Sequence, residues 1–250
     1  MLKMIKTDMQ KIFLNSRIYI CMVVLGAVYS LAYLEMTKGQ NYFMDFTNGF
    51  TVLSGNAIMV FCFLICIVGG SFLYCSEEKY GYFKYEIQRV GIRIYTLSKV
   101  VCSVFSGFMT AVVGIGINIG MMIFYAFIVY EDVSKIWPNI EKLERFVWEI
   151  IVFSMLCGLL SAIGFLVTTF CTDIYIGITS PIIIYYILVC LTNWIPIPLV
   201  LQISKVYLHV GYVEDGHELL FCYALLYTAC WMVLIYKIAR KMIQRRLERA

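Results

Sequence analysis

The chain has 250 residues, 62% of them hydrophobic and 14% charged, with a formal net charge of +4. A water-soluble domain is near half apolar and a quarter charged, so the composition excludes an ordinary soluble globule and makes lipid the solvent for much of the chain. The ten cysteines sit within or beside apolar runs with no CxxC spacing, which reads as small packing residues rather than a metal site or a disulfide framework.

In chain order, residues 2–13 place Leu2, Ile5, Met9 and Ile12 at helical spacing with lysines between them. That pattern predicts an interfacial helix within residues 1–17, lying on the inner leaflet. The apolar stretch behind it has no small-residue cleavage pattern and reads as an uncleaved first span, Ile18–Leu34. A second span is predicted at Thr51–Cys75 and a third at Val100–Tyr130, the latter longer than one crossing requires and so expected to tilt or protrude. Between them, residues 77–90 put Tyr80, Phe83, Ile87 and Val90 on one face with charges on the others, an amphipathic helix with a break at Gly91. The fourth span is Val147–Cys171 and the fifth Ile174–Leu191, where Pro181 frees a backbone carbonyl. Thr192–Glu218, with Trp194, Pro196 and Pro198, is too broken to span and apolar enough to re-enter the membrane or lie on its face. A sixth span covers Leu219–Tyr236. The expected fold is all-α: one transmembrane domain over 1–250 with six spans, a cytoplasmic region at 76–99 and a re-entrant external segment at 192–218.

Fifteen of the 20 lysines and arginines fall in the first segment, in the loop after span two and in the tail; the other five, Lys38, Lys135, Lys142, Arg145 and Lys205, fall in the alternate loops. The positive-inside rule then puts both termini in the cytoplasm.

The sequence carries no GxxxxGK[ST] loop, no HExxH and no TVGYG, and its two histidines, His209 and His217, lie outside the spans. A nucleotide site, a zinc-protease site and a potassium filter therefore have no candidate residues. The middle of every span lacks an ionisable residue, which argues against an ion-driven carrier. Val52, Asn56, Met59, Phe63, Cys66 and Gly70 share a face of span two; Thr179, Ile183, Tyr186, Cys190 and Asn193 share one of span five. Polar side chains on these faces predict contact with protein or with a substrate path, whose candidate residues are Asn56, Met59, Phe63, Thr179, Tyr186 and Asn193. The Gly116/Gly120 pair in span three and Gly158, Ser161 and Gly164 in span four predict close helix packing.

The stretch Glu77-Glu78-Lys79-Tyr80-Gly81-Tyr82-Phe83-Lys84, then Arg89-Val90-Gly91-Ile92-Arg93 and on to Lys99, resembles the permease subunits of ABC transporters of the type-2 exporter family. Those show an acidic pair, a Gly, a Lys, a helix of about ten residues, a Pro-[Val/Ile]-[Ser/Thr]-Arg turn and a Lys opening span three. Glu78, Gly81, Lys84, Arg93 and Lys99 match, whereas the Pro and Ser/Thr of the turn are absent, with Val90 and Ile92 nearby. The resemblance implies that 77–90 is a coupling helix docking in a cleft of a separate ATPase subunit through Glu77, Glu78, Gly81, Phe83, Lys84, Ile87 and Arg89. It also implies two ATPase subunits holding ATP and Mg, a second permease copy or paralogue, and no cofactor or catalytic residue on this chain. The cargo expected in the bacterial plasma membrane is amphipathic or hydrophobic: a peptide antibiotic, a drug or a lipid-like molecule, as in self-protection against a membrane-active peptide. The alternatives are a membrane anchor or sensor without transport, and a membrane-embedded enzyme.

Overall fold

The computed structural model describes residues 2–37, 58–129, 140–171, 173–194 and 217–249. Among these the secondary structure is helical: α1 (Leu2–Phe13), α2 (Ser16–Thr37), α3 (Ile58–Lys79), α4 (Tyr82–Val90), α5 (Ile92–Val129), α6 (Ile140–Phe170), α7 (Ile174–Trp194) and α8 (His217–Arg249). Six of them, all but α1 and α4, are long and apolar enough to cross a membrane. This is the architecture of a multi-pass membrane protein, because a helix is one of the two forms that satisfy every backbone polar group without water. Asn56 and most of the expected re-entrant segment, 195–216, lie outside the described residues.

The expected elements recur with shifted ends. The 77–90 helix is broken: Glu77, Glu78 and Lys79 continue α3, the chain turns at Tyr80–Gly81, and α4 starts at Tyr82. Span three is the last three-quarters of a helix that begins at Ile92, immediately after Gly91. Span six continues helically through the basic tail to Arg249, because Lys, Arg, Gln and Leu favour helix regardless of the surrounding solvent.

Two helix starts are capped by short polar side chains. Asn15 Oδ1 accepts the Arg17 backbone N–H at 3.2 Å and opens α2; Asp173 Oδ1 accepts the Tyr175 N–H at 2.9 Å and opens α7.

Helix α6 is the centre of the bundle. It packs on α3, α5, α7 and α8, and α2 closes the far side against α5 and α3. Close approach comes from small residues. A Cβ on Gly107 would lie 2.7 Å from the Cys157 carbonyl oxygen, and one on Gly70 would lie 2.6 Å from that of Ser161. Gly158 and Gly164 are packed in the same way, against Val104 and against Ser71. Gly116 and Gly120 differ from the expectation of packing: nothing described lies within 4 Å of a Cβ at either position.

Pro181 lies inside α7 and has no N–H to offer the carbonyl of Gly177 four residues back. The Ser71 hydroxyl of α3 donates to that carbonyl at 3.1 Å instead. The freed acceptor thereby becomes a contact between spans two and five.

Candidate functional site

Charged side chains gather at one end of the bundle, where the two ends of the described chain meet the α3–α4 corner. Helix α1 contributes Asp8 and Lys11, α3 contributes Glu77, α4 contributes Glu86, and α5 contributes Tyr95, Ser98 and Lys99. Lys99 is fully buried, as is Asp8 to within 1%. The Lys99 ammonium donates to Asp8 Oδ1 at 2.9 Å and, at short range, to Glu77 Oε1. Ser98 Oγ donates to the other Asp8 oxygen at 2.5 Å, and the Tyr95 hydroxyl to the other Glu77 oxygen at 2.9 Å. Lys11 reaches Glu77 Oε1 at 3.0 Å and Glu86 Oε1 at 2.6 Å.

Burial alone would lower the Lys11 pKa. Hydrogen bonds and the charges of Glu86 and Glu77 outweigh it and hold the ammonium above the ordinary lysine range. The Asp8, Glu77 and Glu86 carboxylates are near enough to share a cation, with ligand atoms within 4.8 Å of one another. Lys11 and Lys99 already supply two positive charges to those three negative ones, so the group is a salt-bridge network built from its own side chains. Beside it lies a cavity of about 480 Å³ lined by Lys11, Asn15, Ile18, Gly69, Tyr80 and Glu86, among others.

A second clamp sits on the adjoining corner. The Arg246 guanidinium near the end of α8 donates at short range to Glu78 and, at 2.7 Å, to the Phe170 carbonyl that ends α6. An α-helix leaves its last carbonyls without partners, and a cation there also meets the negative end of the helix dipole.

The expected coupling residues divide between the two sides of α4. Phe83 and Ile87 are buried, with Phe83 next to Tyr74 of α3 at 6.4 Å between ring centres. Glu77 is inside the salt-bridge network and Glu78 holds Arg246. Gly81 makes the turn at φ 71°. Lys84 is half-buried and Arg89 exposed. The stripe expected of Tyr80, Phe83, Ile87 and Val90 divides as well, since Tyr80 belongs to the turn and is 71% exposed.

The four path candidates whose side chains are described lie on different sides of their helices. Met59 and Phe63 point into the core, where the Phe63 ring lies 5.9 Å from Phe153 and 5.2 Å from Tyr185. Thr179 and Tyr186 sit on the open side of α7, and the Thr179 hydroxyl donates to the Tyr175 carbonyl at 2.9 Å. Asn193 falls in the last turn of α7, and its side chain is outside the described set. Asn56 precedes the described part of α3.

Sequence reasoning missed Asp8, Lys11, Glu86 and Arg246 as members of these networks. Asp8 carried a signal: it stands three residues after Ile5 and four before Ile12, on the apolar stripe of α1. A charge in that register needs a buried counter-charge. Ile5, Met9 and Ile12 pack on the bundle, against the cluster of Ile18, Met22 and Cys102. Three of the four stripe residues, Ile5, Met9 and Ile12, therefore lie against the protein, Ile12 fully buried and the other two in part.

No family model matches this chain, and neither a curated protein nor a solved structure matches it.

Proposed function

We propose that the chain is the transmembrane subunit of an ATP-driven exporter of the ABC type-2 kind. In this reading it sits in the bacterial plasma membrane with both termini cytoplasmic. It moves an amphipathic or hydrophobic cargo such as a peptide antibiotic, a drug or a lipid-like molecule. Two ATPase subunits hold ATP and Mg, and a second permease copy or paralogue completes the complex.

The observation that carries the reading is the way α4 is mounted. A nine-residue helix joins two membrane-length helices through a glycine turn on each side. Its inner face is fixed by Phe83 and Ile87, each burial worth about 1.5–3 kcal/mol. Lys11 ties Glu86 to the buried Asp8–Glu77–Lys99 group, and Arg246 ties the neighbouring Glu78 to α6 and α8. A push on α4 therefore acts on the ends of spans two, three, four and six together. That is what a helix receiving force from a separate motor requires. The absence of a P-loop in the sequence agrees with energy supplied by a partner.

The test is gentle purification of the full-length protein from its own host, with mass spectrometry and an ATPase assay. A stoichiometric P-loop ATPase, lost on disruption of α4, is the expected result. Absence of any such subunit under several mild conditions would leave the chain as a membrane anchor or sensor.

A further inference from the structure

The cavity of about 480 Å³ beside the salt-bridge network has two chemically different ends. Among the described residues, Ile12, Ile18 and Gly69 line it with apolar surface, and Lys11, Glu77 and Glu86 line it with charge. Ile18 belongs with Gly69, since its Cδ1 lies 3.8 Å from a would-be Cβ there, and Ile12 packs with Ile18. Along α3 the lining runs from Gly69 to Glu77, which at 1.5 Å per residue is about 12 Å. Within that stretch the apolar run of α3 ends at Cys75 and charge begins at Glu77. On α2 the same boundary falls between Arg17 and Ile18. The cavity thus crosses from the depth of acyl chains to the depth of headgroups. A molecule that fills both ends is amphipathic.

The charged end selects the sign of the head. Asp8, Glu77 and Glu86 carry three negative charges against the two positive charges of Lys11 and Lys99, so one negative charge is left over. Glu86 has acceptor capacity to spare: Lys11 takes its Oε1 at 2.6 Å, and its Oε2 has no hydrogen-bond partner. Two aromatic rings stand at the mouth. Tyr80 and Tyr82 are 71% and 60% exposed, with ring centres 6.3 Å apart. One cation can therefore stand within about 6 Å of both rings, the range of a cation–π contact. Tyrosines beside a surplus carboxylate form a surface that receives an organic ammonium better than a phosphate.

We propose that this cavity binds the ammonium head of an amphipathic molecule, held by Glu86, Tyr80 and Tyr82, with its apolar part against Ile18 and Gly69. A phosphatidylethanolamine of the adjacent leaflet and a single-chain cationic amphiphile share this chemistry. The site is built from α1, α2, α3 and α4 of this chain, so it stands whether or not the chain works with an ATPase.

The experiment is native mass spectrometry of the full-length protein in an uncharged detergent. The protein is examined first as released from membranes. It is then delipidated and titrated with phosphatidylethanolamine, with phosphatidylglycerol of the same acyl chains, and with decyltrimethylammonium. Saturable binding of an ammonium ligand is expected, with phosphatidylglycerol weaker by about tenfold or more. Glu86→Gln is expected to weaken ammonium binding by about tenfold or more. The Tyr80→Leu, Tyr82→Leu double variant is expected to weaken it by about threefold or more. Lys11→Met is expected to tighten it, because it removes the competing cation from the lining. A site that reads phosphate would respond in the opposite direction. Thermal unfolding in the same detergent checks that each variant is folded. Phosphatidylethanolamine carried through purification supports the proposal with lipid as the source. Protein that arrives without it and binds decyltrimethylammonium supports the proposal with a diffusing amphiphile as the source. A preference for phosphatidylglycerol, loss of binding in Lys11→Met, unchanged binding in Glu86→Gln, or no saturable binding of either ammonium ligand would each overturn it.

Discussion

Lys99 and Lys11 touch the same Glu77 oxygen, yet burial assigns them different energetic roles. Lys99 is sealed between Asp8 and Glu77, whereas the Lys11 side chain is 42% exposed. Removing one partner of a buried pair costs about 3–5 kcal/mol, because the remaining charge is left without compensation. An exposed pair is worth about 0.2–1 kcal/mol. Lys99→Met is therefore expected to lower the thermal stability of the detergent-solubilised protein severely and Lys11→Met only slightly; equal effects would contradict the assigned burial. The pH dependence of the Lys11 contribution follows from the direction of its shift. Its folded pKa is raised, so its stabilisation is complete below the ordinary lysine value near 10.4 and fades only as pH climbs through the higher folded value. The small Lys11→Met penalty should be the same at pH 7 and pH 9. A penalty already vanishing at pH 9 would mean that Glu77 and Glu86 do not hold the ammonium as described.

At the scale of the element, the position of α4 depends on two glycines. Gly81 has φ 71° and ψ 4°, and Gly91 has φ 84° and ψ 147°. Among the described residues nothing lies within 4 Å of a would-be Cβ at either, so the cost of substitution there is backbone strain. A side chain in the left-handed region costs about 1–2 kcal/mol, and the Gly91 conformation is nearly reserved to glycine. Gly91→Ala is expected to raise amide hydrogen exchange across 82–90 more than Gly81→Ala, and Gly81→Asn to be the mildest of the three. The 3.6-residue period in 77–90 showed that a helix was present and put Phe83 and Ile87 on one buried face, but it placed Tyr80 there as well. It did not show the turn at Tyr80–Gly81. Glu77, Glu78 and Lys79 are good helix formers and continue α3 past the apolar run, so the break falls at the first glycine rather than at the first charge.

In the whole molecule, glycines divide by what surrounds them. Gly107 faces the backbone of α6, whereas Gly116, about two and a half turns further along the same helix, has nothing among the described residues within 4 Å of a would-be Cβ. Gly107→Ala is expected to destabilise the bundle by a few kcal/mol, since the carbonyl of Cys157 cannot move away cheaply. Gly116→Ala is expected to leave the single chain unchanged or slightly more stable. Thermal unfolding of both variants in the same detergent decides this, and a destabilised Gly116→Ala would show that a second copy or another partner covers that face. Both were small residues in an apolar run, so nothing local distinguished them.

Six membrane-length helices, a short amphipathic helix after the second and the distribution of basic residues were all determined by composition and periodicity. Length and hydropathy act on each segment independently of its neighbours. Only the tertiary structure decided that Phe83 and Ile87 face the bundle while three tyrosines face away. It alone joined Asp8 to Lys99 across 91 residues and Arg246 to Glu78 across 168. It also matched the Ser71 hydroxyl to the carbonyl that Pro181 leaves free. Each of these pairs a group with a partner far away in sequence, and a buried polar group is stable only once the folded chain supplies that partner.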